Sequence, residues 1–302
     1  MKNNIYDQLC EAAGEECVKL NENMSKHTTF RIGGAAEYFV APRTTEGVVG
    51  TLKLCREQQI PFYVIGNGSN ILVSDEGVSG VILQIGNGLS DMNFQEGRLV
   101  VQAGTMLTKA ANLAARQGYT GMEFAVGIPG TVGGAIAMNA GAYGGEIKDV
   151  IVSATVLTKE GKLLTLTRGE LELGYRSSRI AREQYVVLEA EFCLEPGNAE
   201  EIKAACEKNM KARMEKQPLE YPSAGSTFKR PKGYFAGKLI MDAGLRGFQV
   251  GDAQVSEKHC GFLINRGKAT AEDMQKLIQQ VQTRVQETYG VTLEPEVKMI
   301  GF

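Results

Sequence analysis

The chain has 302 residues, enough for two or three domains with ample buried core. Its 43% apolar and 23% charged residues are those of an ordinary globular protein, which excludes a disordered or collagen-like chain. The 33 Lys plus Arg against 35 Asp plus Glu leave a formal charge of -2, which argues against a protein that coats nucleic acid or an anionic membrane.

Glycine is the outlier, at 36 of 302 residues against a usual ~7%. Such an excess points to tight turns or to loops that let backbone approach a ligand. Met1–Asp7 has no apolar run, so no signal peptide is expected, and no stretch reaches the ~18 apolar residues of a membrane span. The six cysteines, Cys10, Cys17, Cys55, Cys193, Cys206 and Cys260, are scattered without a C-x-x-C, so free thiols in a reducing cytosol are expected and a disulfide framework or zinc site is not. With only His27 and His259, histidine-based metal and triad chemistries lose their material, and both histidines read as structural.

In chain order, Ile5 to Leu20 carries apolar residues at helical spacing and predicts a short amphipathic helix. Glu37 to Val40 predicts a strand, and Thr44 or Thr45 caps a helix to Gln59 that buries Val48, Val49, Leu52 and Cys55. Strands follow at Phe62–Ile65 and Ile71–Val73, a β–helix–β start that suggests a small α/β unit ending near residue 82. Strands are then expected at Val78–Ile85, Met92–Phe94 and Leu99–Gln102. Thr105 is expected to cap an alanine-rich helix closed by Gly118. A long glycine-rich loop, Gly127–Gly145, precedes strands at Val150–Leu157, Lys162–Leu166 and Tyr185–Leu194, and a charged helix runs from Ala199 to Lys216. Gly225-Ser226-Thr227-Phe228 reads as part of a loop, followed by a helix at Phe235–Met241 and a strand at Gly261–Asn265. Thr270-Ala271-Glu272-Asp273 is a capping box for a long helix with Leu277, Ile278, Val281 and Val285 on its buried stripe. Gly290 ends that helix, and Val291–Ile300 predicts a strand broken at Pro295.

Three groups of residues carry chemistry. Gly66-Asn67-Gly68-Ser69-Asn70 follows a strand but fails as a dinucleotide fingerprint, because Ile71 stands in place of the third glycine and a strand follows. It reads either as a nest of backbone N–H groups for a pyrophosphate or as a plain glycine turn. Gly127–Gly145 is long and nearly free of charge, and suits either a flat apolar ligand with its phosphates or a buried structural loop. Lys208, Lys211, Arg213, Lys216, Lys229, Arg230 and Lys232 form a basic excess that fits a solvated face or, in part, an anionic small molecule. No G-x-S-x-G elbow surrounds Ser226.

Taken in order, Thr28-Thr29-Phe30-Arg31-Ile32-Gly33-Gly34, Gly66–Asn70, the Gly127–Gly145 loop, Gly174-Tyr175-Arg176, Ala224-Gly225-Ser226-Thr227-Phe228 and Leu293-Glu294-Pro295-Glu296-Val297 resemble the UDP-N-acetylenolpyruvoylglucosamine reductase (MurB) family over nearly the whole chain. The resemblance implies an α+β, three-domain flavoprotein with a vanillyl-alcohol-oxidase-like (PCMH-type) FAD-binding fold and a C-terminal α+β substrate domain. The implied divisions are 1–82 and 83–212 for FAD and 213–302 for substrate, with the last strand returning toward the FAD domain. It implies noncovalent FAD, NADPH as cosubstrate, a UDP-sugar substrate of peptidoglycan precursor synthesis, and hence a part in bacterial cell-wall biogenesis, cell shape and division. A cytoplasmic enzyme without metal, nucleic acid, membrane insertion or an obligate protein partner is expected.

By matching position, FAD falls to Gly66, Asn67, Gly68, Ser69, Asn70, Gly127, Pro129, Gly130, Gly133, Gly134, Asn139 and Gly141. Ser226 matches the proton donor, and Arg176 with Glu296 the pair that polarises the enolpyruvyl carboxylate; Glu296 serves that role only when protonated. Tyr175, Arg213 and Lys216 match substrate contacts. Ser177–Gln184 leads almost directly to the next strand, so the inserted tyrosine loop of some members is missing, as in the shorter second type. The alternatives are a related FAD-dependent oxidase of the same fold and a non-catalytic sugar-nucleotide binder. Neither histidine lies in a glycine-rich loop, which argues against a covalent flavin.

Overall fold

The computed structural model describes residues 5–302, so Met1–Asn4, part of the segment that bears on a leader, lie outside the described residues. The described residues form two compact units, one of residues 5–20, Tyr38–Asn67 and Gly80–Arg213, the other of Asn21–Glu37, Gly68–Ser79 and Met214–Phe302. Among the described residues, no helix is long and apolar enough to cross a membrane.

In the first unit the opening helix stops at Ala13, not Leu20. Gly14 takes φ +97°, a conformation that ends the helix, and a 3-10 turn at Glu15–Cys17 leads into the strand Val18–Asn23. The helix Thr45–Glu57 is capped as expected, with Thr44 Oγ1 accepting the Gly47 N–H at 3.1 Å. It buries Val48, Leu52 and Cys55, and burial pushes the Cys55 thiol up to about 11, so this cysteine is a packing residue. One sheet has the strand order Val18–Asn23, Ala35–Val40, Val78–Gln84, Phe62–Ile65, and within it Phe62–Ile65 runs parallel to Val81–Gln84.

The unit's larger sheet is antiparallel, in the order Leu163–Thr167, Ile151–Leu157, Val186–Cys193, Arg98–Gln102, Met92–Gln95. Leu99, Val101, Ala154, Val156, Leu188, Ala190 and Phe192 from its strands join one core with Leu107, Ala110, Ala111 and Ala114 of the alanine-rich helix. That helix spans Leu107–Arg116 and is not capped by Thr105. Met106 occupies the cap position, and the Leu107 N–H instead donates to the Gly130 carbonyl at 2.9 Å. Thr105 is fully buried, and its carbonyl accepts the Val132 N–H at 2.8 Å. The Gly127–Gly145 segment is likewise not one continuous loop. Thr131 caps a short helix, Val132–Ala137, and Gly141–Ala142 pairs with Gly145–Glu146 in a tight hairpin.

In the second unit, Ser223–Ser226, Phe262–Asn265, Ala253–Val255 and Gln249–Val250 form an antiparallel sheet in that order. Ser226 therefore ends an edge strand and does not lie in a loop; the strand is irregular between Ser223 and Ser226, where Gly225 takes φ +76°. The capping box forms, with Thr270 Oγ1 accepting from Asp273 N at 3.0 Å and Asp273 Oδ2 accepting from Thr270 N at 3.1 Å. Asp75 satisfies two further N–H groups of this helix, those of Ala271 at 2.8 Å and Glu272 at 2.9 Å. The helix Ala271–Tyr289 buries Met274, Leu277, Ile278, Val281 and Val285. The final strand is shorter than expected, Lys298–Ile300, in parallel register with Ile71–Val73; Pro295, which lacks an N–H, makes only an isolated bridge with Phe228.

His259 packs structurally in this unit. Its Nδ1 accepts the Gly261 N–H at 3.1 Å, its ring meets Phe262 edge-on at 5.0 Å, and burial holds its pKa below the ordinary value. The unfolded chain then binds a proton at His259 before the folded chain does, so this site's contribution to stability is present above the unfolded pKa of about 6.5 and is lost as pH falls below it. Urea unfolding of His259→Asn, which keeps an acceptor but cannot charge, is expected to show a weaker decline in stability between about pH 7 and pH 5 than the wild type. Parallel pH profiles of the two proteins would remove His259 from the account.

Candidate active site

The loop between Ile65 and Ile71 is shaped by close approach of backbone. A Cβ at Gly66 would collide with Thr131 Oγ1, and one at Gly68, which takes φ +64°, would collide with the His27 carbonyl. Asn67 Nδ2 donates to the Pro129 carbonyl at 2.6 Å, so within the first unit this loop is tied directly to the glycine-rich segment that follows Val126. Among the described residues, the main-chain N–H groups of Asn67, Gly68, Ser69 and Asn70 meet no protein acceptor. Small side chains with unengaged N–H donors fit the pyrophosphate of a dinucleotide such as FAD.

The first unit also gathers Arg176, Tyr175, Asn139 and Arg213 around the 127–146 segment. Asn139 is almost fully buried at φ +41°. Its Nδ2 donates to Glu146 Oε2 at 2.6 Å and to the Gly174 carbonyl at 3.1 Å, and its Oδ1 accepts from Lys148 N at 3.0 Å. Ser178 Oγ donates to the Ala137 carbonyl at 2.7 Å and accepts from Ala181 N at 3.1 Å. Two hydrogen bonds thus anchor the turn that carries Tyr175 and Arg176 onto the short helix and its exit. Arg176 takes φ +49° in that turn, between the paired Gly174 and Ser177, and its guanidinium lies 5.6 Å from the ring centre of exposed Tyr175. A non-glycine residue in this conformation is held there by its surroundings.

Arg213 lies against Gly127, where a Cβ would stand 2.9 Å from Arg213 Cδ. Burial holds its guanidinium pKa below the usual value, partly opposed by Tyr143, and among the described residues no carboxylate pairs with it. A partly desolvated cation without a counter-charge is suited to an anion. Lys216 is exposed at the end of the helix Ala199–Lys216, in the second unit.

In the second unit Glu296 is hydrogen-bonded to Thr227, the residue after Ser226. Ser226 is exposed. Thr227 is fully buried, its Oγ1 accepts from Leu263 N at 3.3 Å and its carbonyl accepts the Glu296 N–H at 2.8 Å. The Glu296 carbonyl in turn accepts from Asn70 Nδ2 at 3.2 Å, and the Asn70 carbonyl accepts the Lys298 N–H at 3.0 Å. Gly68 is fixed from the other side, its carbonyl accepting from Thr29 N at 3.1 Å and Thr29 Oγ1 at 3.4 Å. Arg176 and Arg213 belong to the first unit, and Ser226, Glu296 and Lys216 to the second. The sequence assigns no role to Thr29, Thr131, Ser178 or Thr227, which make hydroxyl or main-chain contacts to these segments; Thr29, Thr131 and Thr227 lie within the stretches that carry the family resemblance, and Ser178 does not.

Residues 36–167 match the FAD binding domain family, and residues 217–300 match the C-terminal domain of UDP-N-acetylenolpyruvoylglucosamine reductase. Together with the mixed α and β architecture these define a flavoprotein, an FAD-dependent oxidoreductase with a PCMH-type FAD-binding fold. The chain is 54% identical to the UDP-N-acetylenolpyruvoylglucosamine reductase of Lachnoclostridium phytofermentans over 100% of its own length and 98% of that protein. It is 46% identical to the corresponding reductase of Clostridioides difficile, covering 98% of both chains. The crystal structure of the reductase from Thermus caldophilus superposes with a TM-score of 0.80 at 35% identity, covering 94% of this chain and 98% of that one. A grass pollen allergen with glucose dehydrogenase activity shares the fold alone, with a TM-score of 0.51 at 11% identity over 65% of this chain and 45% of its own. This chain belongs to the UDP-N-acetylenolpyruvoylglucosamine reductase family.

The Asn139 network gives a direct prediction. Asn139→Ala leaves the Lys148 N–H and the Gly174 carbonyl without their partner and should cost about 1–3 kcal/mol in urea unfolding. Asn139→Asp should cost more, because a carboxylate there loses both donors and faces the Glu146 carboxylate. Equal stability of the two variants would show that the Asn139 amide donors do not hold this turn.

Proposed function

We propose that this chain reduces the enolpyruvyl ether of UDP-N-acetylglucosamine to UDP-N-acetylmuramate with NADPH as the electron donor, in bacterial peptidoglycan precursor synthesis in the cytoplasm. What supports the reading is membership of this reductase family, together with the hydrogen bond from the Glu296 N–H to the carbonyl of Thr227, the residue after Ser226. Residues 1–82 and 83–212 are read as the parts that hold FAD, and 213–302 as the part that receives the UDP-sugar. Gly66, Asn67, Gly68, Ser69 and Asn70 would hold the FAD pyrophosphate, with Gly127, Pro129, Gly130, Gly133, Gly134, Asn139 and Gly141 along the flavin. FAD, when bound, supplies the hydride chemistry that links NADPH to the enolpyruvyl group.

The chain's own residues handle charge and protons. Arg176 binds the enolpyruvyl carboxylate with a planar fork and stabilises negative charge as it grows on the adjacent carbon. Glu296 adds a hydrogen bond to that carboxylate as the protonated acid. Ser226 Oγ–H delivers a proton to the carbon next to the carboxylate; a hydroxyl is a weak acid, but an enolate carbon is a strong base. Arg213, with Tyr175 and Lys216, meets the substrate's phosphates and sugar. A partly buried guanidinium without a carboxylate partner supports the part given to Arg213.

Purified protein should be yellow, and acid precipitation should release its flavin into the supernatant. A protein that takes up no FAD would sink the reading, and flavin left in the pellet would replace noncovalent with covalent attachment.

Ser226→Ala separates the two halves of the cycle. Bleaching of the flavin absorbance by NADPH needs no proton from Ser226 and should keep its wild-type rate. Recovery of that absorbance on adding the enolpyruvyl substrate should slow by ~10²–10⁴-fold. Stopped-flow traces in which both phases slow equally, or neither slows, take Ser226 off the list of proton donors.

A further inference from the structure

Asn70 makes two different contacts to one short segment of the C-terminal chain. Its main-chain carbonyl accepts the Lys298 N–H at 3.0 Å, and its side-chain Nδ2 donates to the Glu296 carbonyl at 3.2 Å. The parallel ladder of Ile71–Val73 against Lys298–Ile300 is thereby continued one step further by a side chain, past Val297 to Glu296. Glu296 has no regular strand around it to fix its peptide planes, and Pro295 immediately before it cannot donate a main-chain hydrogen bond. Its N–H is held by Thr227 at 2.8 Å, and its C=O by Asn70. With both ends of the residue tied, the direction in which the Glu296 side chain leaves the backbone is fixed. Loss of the Asn70 tie removes the hydrogen bond to the Glu296 carbonyl and loosens the 296–297 peptide.

We infer that Asn70 is a positioning residue for Glu296, aligning its carboxyl with the substrate carboxylate, in addition to its place in the cofactor loop. The role rests on the reading of Glu296 under the proposed function. Asn70 suits it chemically: its amide offers a donor to a carbonyl, and its short stem reaches from a turn without disturbing the main chain that carries the Lys298 bond. Thr29 and Lys298 hold Gly68 and Asn70 through main-chain atoms of the loop, so loss of the Asn70 side chain leaves those ties in place.

The experiment is a cycle of Asn70→Ala, Glu296→Gln and the double variant, each saturated with FAD. Flavin affinity is read by fluorescence titration, and the two half-reactions by stopped flow across pH. Because Asn70 also belongs to the cofactor loop, the two half-reactions are compared within each variant at saturating FAD: in Asn70→Ala, recovery by the enolpyruvyl substrate is expected to slow ~10²-fold more than bleaching by NADPH does, as for a misaligned group. In the Glu296→Gln background the same change should add almost nothing, since the group it positions has already lost its acid function. Asn70→Asp keeps the size and turn preference but loses the donor, and stands in if the alanine variant fails to hold flavin; at saturating FAD its recovery step should again slow more than its bleaching step. Effects that multiply in the double variant, or a loss confined to flavin affinity, overturn the inference. A Glu296→Gln protein with wild-type recovery overturns the role proposed for Glu296 itself, a result distinguishable from the first.

Discussion

The carbonyl of Gly68 is held by Thr29, the carbonyl of Asn70 by Lys298, and the carbonyl of Glu296 by Asn70. This run of main-chain ties is the constraint on which the rest of the second unit's site depends. It forces backbone so close to backbone at Gly68 that no side chain fits against His27. Before the final strand, Lys298–Ile300, begins its pairing with Ile71–Val73, the Asn70 side chain and the Thr227 carbonyl hold Glu296. Asp75, four residues after the core of the loop begins to straighten, then caps the long helix with both carboxylate oxygens. The stretch Gly68–Asp75 therefore makes hydrogen bonds both to the Glu296 segment and to the N-terminus of the helix Ala271–Tyr289.

The first unit solves the corresponding problem with buried side-chain polar groups. Asn139 and Ser178 bind main-chain carbonyls across thirty-five and forty-one residues of sequence. A buried amide with all its partners satisfied fixes a turn in one conformation, whereas a half-satisfied one is costly. That is how Arg176 persists at φ +49° without glycine. The neighbouring Arg213 shows the complementary device, a cation drawn out of water beside Gly127 that meets no carboxylate among the described residues. Rigid main chain and unquenched charge together suit the binding of a charged ligand.

Much of this was legible in the sequence where local physics decides structure. The capping box at Thr270, the stripe from Leu277 to Val285 and the αL stop at Gly290 are all one-helix features, and each holds. The antiparallel strands around Ile151–Leu157 follow from runs of β-branched residues. What failed were positions where tertiary contacts outbid local preference. Thr105 has the right chemistry for a cap, but its carbonyl serves Val132 and the helix N–H finds Gly130. The glycines of 127–145 hid a helix and a hairpin, because small residues give no periodic apolar signal. The spacing of Ser226 from Glu296, seventy residues along the chain, carries no local trace at all. Family resemblance supplied those positions, and the Thr227 carbonyl ties Glu296 to the residue after Ser226.

Ser226, the last residue of the edge strand, is exposed, and Thr227, just beyond it, is fully buried. Three hydrogen bonds hold Thr227: its N–H donates to the Gly261 carbonyl, its hydroxyl accepts the Leu263 N–H and its carbonyl accepts the Glu296 N–H. Gly225, bulged immediately before, lets the edge strand depart from regular pairing without dragging Thr227 out of place. Ser226 itself stays exposed, next to a residue whose main chain and hydroxyl are all hydrogen-bonded.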